Sequence, residues 1–372
     1  MKNKGFTLIE LLAVIVILAV IALIATPLIM GTITKAKRNA MKDTAYGILK
    51  AGEQYAGEKL LLAENNYAGE TIALPNQDKI NYKGGNGVTG ELKITKSGNL
   101  AIQIHNNQFC AMKNFGEDEV TVIEYDEETC KLDTVPESVS FAEDSWETIA
   151  ANVKTGNLSN YEVGSEKEVT LTGDYAGTYT VRVANNTTPS ECNQESFSQT
   201  ACGFIVEFKD IITRTQINST DINNDGWPKS KIYTTVNTNI YQALPEDLKQ
   251  VIIDTKVISS HGSDDSSNFQ STDKLYLLAT KEIWGKDGTS NPINYDSSDS
   301  QIRQLDYYKN QGVTTNNYVR AIKQYQNSNI GWWLRSASSN NNNGFYGVES
   351  SGVCSIFIAN RTAGVAPAFR IG

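Results

Sequence analysis

Between Leu11 and Ala25 the chain carries no polar side chain, and this run constrains everything that follows it. Taken from Phe6 to Met30 it is about 25 residues, or roughly 37 Å as a helix, which is long enough to cross a bilayer. A secretory signal has a shorter apolar core, about 7 to 15 residues, with a small-residue cleavage site beyond it. Here the basic piece is only Met1 to Lys4, Gly5 follows, and the run continues into a helix-like amphipathic stretch. One acid, Glu10, stands near the start. A carboxylate in hydrocarbon costs about 2.5 to 3.5 kcal/mol on insertion scales and is tolerated where it finds a partner. A cut between Gly5 and Phe6 would create an α-ammonium one helical turn from Glu10, on the same helix or within reach from a neighbouring one.

These residues, KGFTLIELLAVIVILAVIALIATP, resemble the leader and first helix of a type IV prepilin. The resemblance implies cleavage after Gly5 by a membrane prepilin peptidase and methylation of Phe6. It also implies that Glu10 neutralises the N-terminal ammonium of an adjacent subunit during filament assembly. Pro27 falls where the family's helix kinks or melts, and proline has a physical reason to do so, since it lacks a donor and clashes with the preceding turn. Residues 1–5 are then a leader and 6–134 a pilin module, with its helix over 6–62.

Beyond Pro27 the series Met41, Ala45, Ile48, Gly52, Tyr55 steps by four and three, which marks one apolar helix face opposite Lys42, Asp43, Lys50 and Glu53. The basic stretch Lys35, Lys37, Arg38, Lys42 can meet anionic headgroups or neighbouring acids, or remain a solvated helix face. A polar cluster, Glu64-Asn65-Asn66, ends the helix, and Gly84-Gly85-Asn86-Gly87 supplies a turn. The alternating runs Glu91 to Ile94 and Asn99 to Ile104 read as strands with one buried face. A long helix packed on a small antiparallel sheet is the expected fold of this module, which ends near Leu132 to Pro136.

Five cysteines occur, without a CxxC, and two histidines, so zinc-ligand spacing is missing. If the chain is exported, Cys110 with Cys130 and Cys192 with Cys202 are candidate local disulfides; free buried thiols are the alternative. Cys354 reads as a small buried hydrophobe. The net charge of −9, from 33 basic and 42 acidic residues, gives no electrostatic footprint for nucleic acid. No cofactor or metal is expected.

At 372 residues the chain is long enough for two or three domains. Residues 135–372 are too many for a pilin's own head. They open with a helical turn, Ser145 to Ala150, followed by strand-like runs at Glu168 to Leu171, Gly177 to Val183 and Gly203 to Phe208. Leu244 to Val257 reads as a short amphipathic helix. Strands and helices mix without a regular βαβ period, so the expected class is α+β. Three segments, "NNDGWPKSKIYTTVNTNIYQALPEDLKQVI", "STDKLYLLATKEIWG" and "GWWLRSASSNNNNGFYGVESSG", together resemble a domain of unknown function found in cell-surface proteins of Gram-positive anaerobes. The resemblance runs from near Ser138 to Gly372 and implies a C-type-lectin-like shape and no activity. The closing Gly364-Val365-Ala366-Pro367-Ala368 has Ala366 where that domain usually has arginine.

Catalytic chemistry has little to work with. His105 falls in the pilin head, His261 in a Ser/Gly/Asp loop, no GxSxG frames a nucleophile, and Asp264-Asp265 read as solvated loop carboxylates. No enzyme is expected. Asp221 to Gly226 imitates the start of a calcium loop, but Lys229 and Ile232 occupy later ligand positions, so an Asn/Asp-rich turn is the reading. Trp332, Trp333 and Arg335 are candidate ligand-binding residues, because aromatic faces stack on sugars and arginine supports them. The competing reading makes them core. On a strand the two tryptophans point to opposite faces, and Ser338 to Gly344 is a polar loop able to serve as a contact surface only if ordered.

The sequence therefore leads to a type IV pilin-like subunit, inserted in the cytoplasmic membrane before assembly and extracellular on the pilus afterwards. Its expected partners are other pilin subunits, prepilin peptidase and a glycan or protein ligand. The bulk of residues 135–372 favours a minor or tip pilin with an adhesive role. A pseudopilin of a type II-like secretion or DNA-uptake system, and a membrane-tethered binding protein, are the rivals.

Overall fold

The computed structural model describes residues 8–62, 67, 69–83, 87–95, 98–133, 138–285 and 292–372. The chain divides into two compact units, Met1–Thr134 and Val135–Gly372.

The first unit is a single long helix, α1 (Leu8–Leu62), with a five-stranded antiparallel meander: β1 (Glu70–Leu74), β2 (Thr89–Ile94), β3 (Leu100–His105), β4 (Phe109–Lys113) and β5 (Thr121–Glu124), in that spatial order. From Met41 onward α1 buries one stripe, Met41, Ala45, Ile48, Leu49 and Ala56, on Leu92, Ile102, Ile104 and Phe109 of the sheet. Asp43, Lys50 and Glu53 face solvent, as the three-and-four spacing requires. Gly52 sits at the closest approach, where an added Cβ would lie 2.5 Å from Leu100 Cδ2 and 2.6 Å from Leu92 Cδ2. A side chain at that position would have to displace the ends of both leucines. Cys110 and Cys130 are disulfide-bonded. The expected helix terminator at Glu64 to Asn66 and the turn residues Gly84 to Asn86 lie outside the described residues.

The second unit opens with α2 (Trp146–Thr155), whose N-cap Ser145 accepts from the Thr148 N–H and whose end is turned by Gly156 at φ 70°. Its strands are β6 (Glu166–Leu171), β7 (Gly177–Asn185), β8 (Phe204–Phe208), β9 (Thr213–Gln216), β10 (Thr255–Ser259), β11 (Phe269–Asp273), β12 (Leu275–Tyr276), β13 (Gln324–Tyr325), β14 (Ser328–Asn329), β15 (Trp332–Ala337), β16 (Gly344–Val348), β17 (Cys354–Ile358), β18 (Thr362–Val365) and β19 (Ala368–Ile371). They form two five-stranded sheets, ordered β12-β19-β8-β7-β6 and β17-β16-β15-β18-β9, and two smaller hairpins. The successive strands β18 and β19 enter different sheets, so the chain changes sheet at Ala366-Pro367. Ala366 there is fully buried. One hydrophobic core joins residues of both sheets, from Val181, Val206 and Phe369 to Leu334, Phe345 and Phe357. Cys192 and Cys202 are bonded, and Cys354 is free and buried. The fold class is α+β.

The expected helix over Leu244 to Val257 needs correction. Only Glu246–Val251 is helical. Ile252 bridges Ile371, the Ile253 N–H donates to the Arg370 carbonyl at 3.0 Å, and Thr255–Ser259 pairs with Phe269–Asp273. From Val251 onward the residues are largely β-branched, and sheet partners satisfy them better than a helix would.

Candidate functional site

In the N-terminal half of α1 the side chains face outward. Leu8 is 86% exposed and Leu23 78%, against 0% for Ile48 in the packed half of the same helix. This is the one helix among the described residues that is long and apolar enough to span a membrane. Glu10 stands on it in the first described turn, exposed. Gly5 and Phe6, the expected processing site, lie outside the described residues. The helix runs through Pro27 without a break, although a proline there leaves the carbonyl four residues back without its donor. The Thr26 hydroxyl donates to the Ala22 carbonyl at 2.6 Å within the same turn. The basic stretch meets neighbouring groups of its own unit: Lys42 pairs with Glu119 at 3.3 Å, Arg38 with Glu124 at 3.8 Å, and Lys37 donates to Gln108. These pairs are exposed and contribute little to stability.

In the second unit, Trp332, Trp333 and Arg335 all lie on β15, whose six residues are buried throughout. The Trp332 indole N–H donates to the Ala321 carbonyl at 3.1 Å and that of Trp333 to the Thr215 carbonyl at 2.9 Å. Opposite faces of the strand are both covered, so neither ring reaches solvent. Arg335 donates from Nε to the Ile258 carbonyl, from one terminal nitrogen to the Leu277 carbonyl and Glu282, and from the other to Thr200 and Glu282. A guanidinium has five N–H groups, and all five are engaged. The candidate ligand-binding role of these three residues is therefore corrected: their apolar surface and donors are spent on the core. Glu282 holds its own end by accepting from the Ala279 N–H at 2.8 Å. Burial depresses the Arg335 guanidinium and Glu282 more than restores it, leaving it raised.

A second buried charge cluster centres on Glu207. It accepts from Arg182 Nε, Tyr308 Oη and Lys323 Nζ, each at 2.9 Å. Arg182 also stacks 3.7 Å over the Tyr307 ring. Two cations thus share one carboxylate. Burial, with Arg182 close by, brings the Lys323 ammonium down to about 8 despite the pull of Glu207. The sequence singles out Arg335 but marks neither pairing, since Arg335 and Glu282 are 53 positions apart and Lys323 and Glu207 are 116.

The calcium-like turn has a different use. Asn223 is fully buried. Its side-chain amide donates to the carbonyls of Ser338, Asn341 and Gly344 at 3.2, 3.0 and 2.8 Å, and its N–H to the Asn342 carbonyl at 2.8 Å. The polar loop Ser338 to Gly344 is held by these bonds together with its own Asn341 side chain, which accepts from the Gly344 N–H at 2.8 Å, and with the Tyr295 carbonyl, which accepts from the Ser339 N–H at 2.9 Å. Asp225 pairs with Lys229. Among the described residues no group of three or more His, Cys, Asp or Glu is placed to hold a metal. His261 closes on its neighbour's carbonyl, and His105 stacks on Tyr125. Two open grooves of this unit, about 520 and 370 Å³, are lined by such residues as Asn268, Gln270 and Gln301, and Lys281, Arg303 and Lys309. Neither includes Trp332, Trp333 or Arg335.

Comparison with known families matches residues 1–26 to the prokaryotic N-terminal methylation motif and residues 204–372 to a domain of unknown function, DUF6273. The first match supports a pilin- or pseudopilin-like subunit, and with it prepilin peptidase and other pilin subunits as partners in general. The second begins at Phe204, the first residue of β8, and so leaves out β6 and β7 of the same sheet. No curated protein and no solved structure matches the chain.

Proposed function

We propose that this chain is a type IV pilin subunit that displays residues 135–372 on a cell-surface filament, as a minor or tip component with an adhesive and non-catalytic role. The observation that carries the reading is the methylation-motif match at residues 1–26, continued by a helix whose large apolar side chains stay exposed over Leu8 to Ile24 and at Ile29, Met30 and Ile33. Such a surface is stable only in lipid or against other helices. Cleavage after Gly5 would release the Phe6 ammonium, and its pairing with Glu10 of a neighbouring subunit would set the register, because an unpaired ion in that setting is penalised.

A minor or tip position is favoured because a second unit of this size is harder to repeat at every filament position than to place rarely. The rival reading, a pseudopilin, shares the same motif. Intact-mass and N-terminal peptide analysis of the protein recovered from cells tests the processing step. A chain beginning at Phe6 with one added methyl group supports the proposal; a chain beginning at Met1, or cut near Ala25, defeats it. Antibodies to the second unit then separate the two pilin readings, since only a pilus component labels long extracellular fibres.

A further inference from the structure

The groove of about 370 Å³ in the second unit gathers cations in a chain whose net charge is −9. Lys281, Arg303 and Lys309 line it, against one acid, Glu191. Lys281 lies on the Thr280–Trp284 helix, Lys309 on the helix Asp306–Asn310, and Arg303 in the segment that leads into the latter.

These pieces are bonded to one another. The Leu305 N–H donates to the Glu282 carbonyl at 2.9 Å, and the Gln304 side-chain amide donates to the carbonyls of Ile283 and Val313 at 2.7 and 2.8 Å. Gly285, at φ 65°, permits the close approach, because a Cβ there would stand 2.7 Å from Gln304 Oε1. Glu282, next to Lys281, is itself fixed in the core by Arg335. The frame that carries the cations is therefore set before a ligand arrives, which lowers the entropy cost of binding.

Their internal partners leave donors over. Arg303 reaches the Thr187 hydroxyl and Asp306 Oδ1, both at 3.4 Å, which uses two of the five N–H groups of a guanidinium. Asp306 spends its other oxygen on the N–H groups of Asn186 and Thr187 and on the Thr187 hydroxyl. Lys281 donates to the Asp299 carbonyl at 2.6 Å and faces its carboxylate at 3.5 Å. Lys309 is exposed, and its ammonium has no partner among the described residues. Asp299 and Asp306 offset two of the three positive charges, so the groove offers directed donors more than net charge. Two further groups line it without a hydrogen-bond partner among the described residues, the Ser300 hydroxyl and Gln304 Oε1.

We propose that this groove binds an acidic saccharide by the carboxylate of one of its sugars. The planar fork of Arg303 matches a carboxylate, and the Lys309 ammonium supplies the charge that Asp306 does not already balance. The Ser300 hydroxyl and Gln304 Oε1 suit the neighbouring sugar hydroxyls, which both donate and accept. The inference rests on the adhesive reading of residues 135–372 and is independent of processing and filament assembly.

Calorimetric titration of the full chain in detergent with oligogalacturonate, a chain of carboxylated sugars, tests the site. Binding is expected, with none for a neutral cello-oligosaccharide. Lys309→Glu should weaken it by about 10-fold or more, the scale of one charge-assisted hydrogen bond. Lys231→Glu makes the same charge change at an exposed lysine outside the groove and should leave binding as it was. No binding, equal loss in both variants, or no loss in Lys309→Glu overturns the site. Oligoglutamate bound as tightly as oligogalacturonate overturns the saccharide class and puts an acidic peptide in its place. Cells bearing Lys309→Glu should also attach less to a surface coated with the same saccharide. Unchanged attachment, with binding by the purified variant weakened, would uphold the site and overturn the adhesive reading instead.

Discussion

Arg335 and Glu282 meet as a bidentate pair, 2.6 and 2.7 Å, with neither side chain exposed. Because every donor of the guanidinium is used internally, the pair is a fixed joint between β15 and the Thr280–Trp284 helix. Removing one partner strands the other in the core, which typically costs about 3 to 5 kcal/mol. Arg335→Met is expected to destabilise the second unit by that amount, and Arg335→Met with Glu282→Leu to recover part of the loss. All five tryptophans, from Trp146 to Trp333, belong to this unit. Denaturant unfolding of the full chain in detergent, followed by tryptophan fluorescence, therefore reads this unit. A single variant as stable as the parent would remove the joint from the account.

The Glu207 cluster predicts a pH dependence. The Lys323 ammonium titrates near 8 in the folded protein, against roughly 10.4 when unfolded. Between those values the unfolded chain holds a proton that the folded one has released, so stability rises with pH across that window. Unfolding midpoints from pH 7.5 to 10 should climb, and Lys323→Met should flatten the climb. The same substitution leaves the Phe208 and Lys209 carbonyls without the Lys323 donor, so some overall loss is expected at every pH. A slope of the opposite sign, or one that survives the substitution, would show that Lys323 stays charged.

How much of this was legible in the sequence depends on distance along the chain. The packed face of α1, from Met41 to Tyr55, was readable because helix periodicity is local and only one side is covered. The two disulfides close short loops and were readable as local pairs. Strand alternation places Trp332 and Trp333 on opposite faces, but nothing local says that both faces are buried. The partners of Arg335, Glu207 and Asn223 lie 25 to 135 positions away, and a single sequence carries no signal of such separations. The helix expected over Leu244 to Val257 failed for the same reason, since Ile252 and Ile253 answer to Ile371 and Arg370.

Gly52 makes the contact between α1 and its sheet sensitive to volume. Alanine there would gain about 1 kcal/mol of helix propensity, while its Cβ meets the ends of two leucine side chains, Leu92 and Leu100, which have some freedom to move. Gly52→Ala should therefore be close to neutral. Gly52→Val adds two methyl groups and cannot be absorbed in that way, and overpacking of this kind costs about 1 to 3 kcal/mol. Hydrogen exchange at Leu92 and Ile102, in the middle of the sheet, should accelerate by about 10-fold or more in the valine variant, on the scale of 1.4 kcal/mol per decade. Unchanged exchange in Gly52→Val would mean that helix and sheet are less closely coupled than their contact implies.

Substitution of Asn223 separates a turn from a metal site. Asn223→Asp preserves size but replaces a donor facing three carbonyls with an oxygen facing three oxygens. Leaving buried groups unsatisfied costs about 1 to 3 kcal/mol each, and the loop Ser338 to Gly344 can avoid that cost by detaching. The variant should be nicked by protease within this loop, and the Ser263 N–H, which donates to the Asn341 carbonyl at 3.0 Å, should lose its exchange protection. The rest of the second unit should unfold at nearly the parental denaturant concentration, because the loop lies at one end of β16. If Asp221 to Gly226 were instead a calcium loop, an added carboxylate would strengthen it, and calcium would protect the variant loop from protease. Protection of that kind would replace the capping role of Asn223 with a ligand role; cleavage insensitive to calcium would leave its amide as one of the groups that hold the loop.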